Sequence, residues 1–476
     1  MVHSRSALYS LVALSVLACT KKPSESESLP NPPAAASAAL AAVPSTAPMA
    51  SASVAPEPPK VPDVPPVCQI ESKKVWTKGV SRLTGLTEAT LPDGRAAIGF
   101  VVGTQPQILL VGSSAKGSMV KVPIAKTSRL ASVPKGAQRA ILRVTPVKVD
   151  GDSVKAFVDF EDIYKDKKKS IVCGPADANE NWVEFEGIPY SARKGAKPEE
   201  IAALFHQEGA AKVYDEVHTC RTFTNLERGE SWVLGSDLHG ELKADNSIDW
   251  RSDFVVLTDN KTKKRTIEST AITNKTLDDE HYDVPVSFAL KNGSYVVAAR
   301  HHGQFIAGIL GADKSLTGQM SRYPGYATLP DIAMDGDESL VISTSLAKAK
   351  GEFGLRALRI DLAKPEFPKK LHVVVTDKSG TDAPSESDPD FLRDAKGQRW
   401  VAHIEGARGD GKLSLAPINK DFVAVGRSFS VTEEGEKASA ARLIPLKDKG
   451  ILVVFLREAD KTLELVTEEV HCKVEQ

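Results

Sequence analysis

Three short stretches of this chain repeat one arrangement, an arginine followed by leucine: Ser81-Arg82-Leu83, Ser128-Arg129-Leu130 and Ala441-Arg442-Leu443. Three others place an aspartate in the corresponding position: Tyr282-Asp283, Pro330-Asp331 and Pro389-Asp390. Guanidinium groups gathered in an arc suit a carboxylate or sulfate, which arginine can hold with two parallel hydrogen bonds. Neither set contains a nucleophile. An acid and base pair of carboxylates would have to converge to about 5–10 Å, which spacing along the chain does not reveal. No residue is therefore assigned a catalytic role.

Other apparent chemistry dissolves on inspection. Residues 406–413 (GARGDGKL) approach a phosphate-binding loop, but Leu413 stands where the magnesium-binding hydroxyl belongs, and a strand pattern follows instead of a helix. The embedded Arg408-Gly409-Asp410 reads as a hairpin tip. Ser118 with Lys121, and Ser345 with Lys348, have S-x-x-K spacing, but on a strand residues three apart face opposite sides. His301 and His302 diverge for a related reason. No zinc, calcium or cofactor motif is present, so no metal and no cofactor are expected. Asp394-Ala-Lys-Gly397-Gln-Arg-Trp400 resembles the Asp-box turns of sialidase propellers, with one extra residue between Asp and Gly and no repeats elsewhere.

The elements that must position the charged residues are hairpins. Apolar residues lead into Asp335-Gly336-Asp337, and a β-branched run leads out; Gly94, Gly136, Gly293, Gly397 and Gly450 sit in similar settings. Glycine supplies the positive φ that tight turns need. A hairpin repeated this often marks a repeat architecture. Seven units are counted, beginning near Arg82, Arg129, Trp182, Asp283, Asp331, Asp390 and Arg442. The expected fold is all-β: a β-propeller over residues 68–472 with seven four-stranded blades, six or eight being the alternatives, and a pair of β-sandwiches the rival fold. One helix is expected at residues 197–207, inside an insertion spanning 193–220. First strands line a propeller's axis. Arg82, Arg129 and Arg442 would then form a cationic arc on units 1, 2 and 7, and Asp283, Asp331 and Asp390 an anionic arc on units 4 to 6.

The chain has 476 residues, with 61 Lys and Arg against 62 Asp and Glu, a balance that points to neither nucleic acid nor an anionic membrane surface. Residues 1–19 have the pattern of an export signal, with Arg5 ahead of an apolar stretch at 7–17. Val16-Leu17-Ala18-Cys19 resembles a bacterial lipobox, which implies acylation of Cys19 and a lipid-anchored, exported protein. Residues 20–67 are rich in Pro, Ala and Ser and are expected to be a disordered tether. Four cysteines remain. Cys68 and Cys472 lie at the two ends of the repeats, where a ring must close, so they are expected to pair as a clasp; Cys173 is left with Cys220. The reading is a monomeric, membrane-tethered binding or scaffolding propeller of the outer membrane, on its periplasmic face or the cell surface. Its expected partner is an envelope protein or an anionic glycan or peptide docked on the arginine arc. The alternative is a glycan hydrolase with axial carboxylates.

Overall fold

A computed structural model describes residues 61–473, apart from 188–211, several shorter stretches (151–152, 166–168, 177–182, 226–229, 244–247, 258–263, 272–281, 328–329, 350–351, 380–385, 407–410, 448–449) and single positions. The expected signal at 1–19, almost all of the tether and the helix at 197–207 lie outside the described residues.

The described residues form twenty-eight strands in order. Strand β1 (Val67–Val80) comes first and is set aside by the fold until the end. Blade 1 is β2 (Thr87–Thr90), β3 (Ala96–Val102), β4 (Gln105–Val111) and β5 (Gly117–Lys121); blade 2 is β6 (Ala137–Asp150), β7 (Ser153–Tyr164), β8 (Lys169–Pro175) and β9 (Val183–Gly187). Blade 3 is β10 (Lys212–Asn225), β11 (Glu230–Leu242), β12 (Ile248–Leu257) and β13 (Lys264–Ala271). Blade 4 is β14 (Tyr282–Ala289), β15 (Tyr295–His301), β16 (Gln304–Leu310) and β17 (Leu316–Tyr323); blade 5 is β18 (Asp331–Met334), β19 (Ser339–Ala349), β20 (Glu352–Asp361) and β21 (His372–Val373). Blade 6 is β22 (Glu386–Arg393), β23 (Arg399–Glu405), β24 (Lys412–Ile418) and β25 (Phe429–Ser430). Blade 7 takes β26 (Ala438–Pro445), β27 (Ile451–Ala459) and β28 (Thr462–Lys473) from the C-terminus and completes itself with β1 from the N-terminus. The result is a seven-bladed β-propeller.

Repeated turn chemistry makes the repeated blades. In blades 1, 4 and 6 the amide of Leu91, Leu290 or Asp394 donates to the carbonyl four residues on, at 2.8, 2.8 and 2.9 Å. Gly94, Gly293 and Gly397 occupy the fourth position of these turns with φ of 79°, 88° and 84°, a region that costs an L-residue about 1–2 kcal/mol. The core is likewise repeated. Among the described residues, each of the seven blade-to-blade interfaces holds its own apolar cluster, for example Phe100, Ile98 and Leu465 between blades 7 and 1, or Tyr295, Phe254 and Trp232 between blades 3 and 4. A ring of interfaces replaces a single centre.

Both expected disulfides are present. Cys68 faces Cys472 across the β1–β28 ladder, tying together residues 404 apart. Cys173 on β8 joins Cys220 on β10, so this bond staples blade 2 to blade 3. The cluster it sits in contains Ile171, Val233 and Leu257 beside the two cysteines.

Two sequence boundaries move. The Lys135-Gly136 turn does not join first and second strands; it leads into β6, the first strand of blade 2. The segment after Trp182 is consequently β9, the fourth strand of blade 2, and blade 3 begins at Lys212. Residues 212–220, placed at the end of the expected insertion, are β-strand, paired with β11.

Candidate functional site

The innermost strands carry a set of charged residues that interact across the propeller axis. Glu88 is on β2, Arg143 on β6, Arg221 on β10, Asp331 on β18, Asp388 and Asp390 on β22, and Arg442 on β26. Arg442 is the hub. Its Nη1 lies 3.5 Å from Asp331 Oδ2, and it also feels Asp390, Glu88 and Asp388, all of which favour its charged form. The same guanidinium donates to the carbonyls of Ala441 and Leu86 at 2.6 and 3.0 Å, which fixes it between blades 7 and 1.

The carboxylates around it are held away from their ordinary titration range. Desolvation pushes Glu88 up to about 7, against the pull of Arg442 and with a further push from Asp331. Asp388 is raised to about 6 by desolvation, and Asp390 well above the usual aspartate range by desolvation and then by Asp331. Glu88 nonetheless keeps solvent-accessible surface. A group that touches water while protein surrounds it lies in a narrow lumen, where the surrounding walls, and not loss of the last water, penalise charge. On the opposite side, burial lowers Arg143 to about 10 despite the pull of Asp159. Asp159 accepts from Thr222 Oγ1 at 2.7 Å and from the Thr222 amide at 3.2 Å.

Backbone geometry positions the two blade 6 carboxylates. The β22–β23 register slips between Ser387 and Asp390. At this bulge Asp388 has φ of 49°, a left-handed conformation. It precedes Pro389, which narrows its choices further. Asp388 and Asp390, two residues apart, both act on Arg442. Asp390 Oδ2 also accepts from the Leu443 amide at 2.6 Å, locking blade 6 to blade 7.

Chemically, the lumen is a proton-holding anionic site. Among the described residues, four carboxylates (Glu88, Asp331, Asp388 and Asp390) act on Arg442, while Asp159, buried on β7, is acted on by Arg143 and Arg221. The raised acids take up protons because ionising all of them together in this enclosure is unfavourable. No three of these carboxylates, among the described residues, come close enough to share one small metal ion. The arrangement suits a larger organic cation, which can displace the protons.

Three of the six residues expected from sequence meet here: Asp331, Asp390 and Arg442. The three-arginine arc does not form. Arg82 lies in the exposed turn ahead of β2 and is ion-paired with Glu458 of β27. Arg129 opens a 3₁₀ turn (Arg129–Ala131) ahead of β6. Both belong to connections entering a blade, so the Ser-Arg-Leu likeness marks no common place on an inner strand. Asp283 is the second residue of β14, paired opposite Arg300; its side chain is outside the described residues. The residues that sequence reading missed are Glu88, Arg143, Arg221 and Asp388. Counting back from the hairpin glycine would have found the first: Glu88 precedes Gly94 by about as many residues as Asp331 precedes Gly336.

A cleft between blades 5 and 6, lined by Met334, Val341, Phe391 and Phe422, lies away from these charges. Its Asp335 is already bound to Arg359 at 2.9 Å and Arg399 at 2.7 Å, as befits a packed interface. The Asp394 turn is a rigid cap: Asp394 accepts from the Lys396 and Gln398 amides at 2.9 and 3.0 Å and from Trp400 Nε1 at 3.0 Å.

No protein-family model matches the sequence, and no curated protein matches it. Solved structures similar to it include the NanB sialidase of Streptococcus pneumoniae, with TM-score 0.41 and 10% identity over 84% of this chain and 70% of that one. Trypanosoma rangeli sialidase gives TM-score 0.33 and 11% identity over 84% and 60%. The soluble aldose sugar dehydrogenase of Escherichia coli gives 0.36 and 12% over 84% and 99%. Likeness at this level carries nothing about activity.

Proposed function

We propose that this chain is an exported, lipid-anchored, non-catalytic binding propeller that captures a cationic group, an amine or guanidinium of a peptide or small molecule, at its axis. The observation that carries the binding half is that Glu88, Asp331, Asp388 and Asp390, from three blades, all act on the Arg442 guanidinium. Like charges gathered together are unfavourable for folding alone, and the left-handed backbone at Asp388 adds to the cost; such features concentrate at sites kept for function. The anchoring half rests on the lipobox-like Val16-Leu17-Ala18-Cys19 and the Pro-rich stretch that follows. With acylated Cys19 in the outer membrane, the stretch to residue 67 would hold the propeller off the surface on either its periplasmic or its outer side. An anionic ligand on the arginines is disfavoured, since Arg82 and Arg442 already have carboxylate partners.

One observation favours a second reading, glycan hydrolysis. A carboxyl group pushed up to about 7, as burial does to Glu88, beside Asp388, raised to about 6, resembles the pairing a glycosidase uses for its acid.

A single comparison tests both. Calorimetric titration with arginine amide, spermidine, sialic acid and sulfate at pH 8 is expected to give heat with the two cations only, and none with the Asp388→Asn/Glu88→Gln variant. Binding of sialic acid or sulfate in preference to the cations would overturn the proposal. Turnover of fluorogenic glycosides, abolished by Glu88→Gln, would establish the second reading instead.

A further inference from the structure

Away from the axis, on the seam that closes the ring, three ligating side chains converge. Glu71 comes from β1, and Glu469 and His471 come from β28. His471 Nε2 lies 3.0 Å from Glu469 Oε1 and 3.5 Å from Glu71 Oε2. Nitrogen and oxygen ligands bound to tetrahedral zinc at about 2.0–2.2 Å are themselves about 3.3–3.6 Å apart. The two distances from His471 Nε2 match such edges to within a few tenths of an ångström, and all three ligand atoms lie within 4.8 Å of one another.

The strand pairing explains how this happens. Gln69 faces His471, Ile70 faces Val470 and Ser72 faces Glu469, leaving Glu71 as the extra residue of a β-bulge. Glu469 and His471, two apart on one strand, share a face, and the bulge turns Glu71 toward them. The outer oxygens are held as well: Ser72 Oγ donates to Glu469 Oε2 at 3.2 Å and Gln69 Nε2 to Glu71 Oε1 at 3.4 Å. That leaves Glu469 Oε1 and Glu71 Oε2 turned to the imidazole, the outer-shell arrangement that orients metal-binding carboxylates. Gly450 borders the Nε2 edge of the ring, where an added Cβ would stand 2.7 Å from Nε2.

We infer that Glu71, Glu469 and His471 form a binding site for a borderline divalent metal ion, zinc or a neighbour such as cobalt, that clasps the propeller beside the Cys68–Cys472 disulfide. One nitrogen and two oxygens favour such ions over magnesium or calcium, which take all-oxygen sets. Solvent would fill the fourth position, since the Glu71 side chain is 44% exposed. The site exists only in the closed ring, because its ligands lie 398 and 400 residues apart on strands that meet at closure.

The test uses the full chain and the metals alone. Zinc at 100 μM is expected to raise Tm by about 2–4 °C, while magnesium does not, and cobalt is expected to give visible d–d absorption at one equivalent. His471→Gln and Glu71→Gln, both partly exposed changes whose folding circular dichroism can verify, are expected to abolish both signals; Asp331→Asn is expected to keep them. Reducing the disulfides should enlarge the zinc shift. In the oxidised unfolded chain Glu71 and His471 stay tethered near the Cys68–Cys472 bond and can still bind metal, which weakens the stabilisation. Absence of the cobalt spectrum, signals that survive both variants, or a zinc shift no larger after reduction would overturn the assignment.

Discussion

The two disulfides should contribute very differently to stability, and the structure fixes the ratio. The clasp ties residues 404 apart and the staple residues 47 apart. Loop-closure entropy assigns them about 6 and about 4 kcal/mol, as ceilings that ignore native strain. Their difference, about 2 kcal/mol, depends only on the logarithm of the two lengths. Removing cysteines would confuse the comparison, because Cys173 and Cys220 are fully buried and their loss leaves a hole. The cleaner perturbation is reduction of variants that keep one bond each. In Cys173→Ala/Cys220→Ala the oxidised-to-reduced difference reports the clasp; in Cys68→Ala/Cys472→Ala it reports the staple. Urea unfolding followed by tryptophan fluorescence should show the clasp lowering the midpoint more on reduction. An equal or larger effect for the staple would refute the reasoning. It would mean that the ring is held at β1–β28 by its ladder alone and that the blade 2–3 interface is the weak point.

Removing the hub, Arg442→Met, should cost about 2–4 kcal/mol at pH 8, because it strands the carboxylates that Arg442 serves; at pH 5.5 protonation should restore much of that, measured by urea unfolding at both pH values. In the wild type Glu88, Asp388 and Asp390 have folded pKa values above their unfolded ones, so the folded state holds extra protons between about pH 4.5 and 7. Their contribution to stability therefore falls as pH rises through that window, and Glu88→Gln should flatten the fall in Tm between pH 5 and 8. Gly99→Ala should destabilise by about 1–3 kcal/mol in the same unfolding assay, since the new methyl would run into the Val144 carbonyl and Thr87 Oγ1 where blade 1 meets blade 2. Cys19→Ala should move the protein out of the detergent-soluble membrane fraction on blotting, whereas unchanged fractionation would remove the case for an anchor.

Much of the architecture was legible because it is written locally. The glycine of each hairpin must sit at positive φ, and an apolar run must follow it, so Gly94, Gly293, Gly336 and Gly397 mark blades without reference to anything distant. The clasp was legible for a topological reason: a closed ring brings Cys68 to Cys472 wherever the blades fall. Blade 2 misled because Gly136 has the same left-handed backbone while serving as the entry to a long strand. The axial site was only half legible. Asp331, Asp390 and Arg442 have inner-strand positions that follow from turn counting, but Asp388 lies at a bulge with left-handed backbone, which leaves no period in the sequence. Arg143 and Arg221 come from the blades whose boundaries were displaced. The Glu71 bulge was hidden in the same way, with its partners some 400 residues distant along the chain.

The central claim, that acidic side chains converge around Arg442, is tested most directly by carboxyl carbon-13 NMR of Glu88 and Asp388 through a pH titration, with Glu88→Gln and Asp388→Asn assigning the signals. The account predicts midpoints near 7 for Glu88 and near 6 for Asp388, both shifted downward when spermidine is added. Two ordinary carboxylates titrating near 4, indifferent to the polyamine, would contradict it.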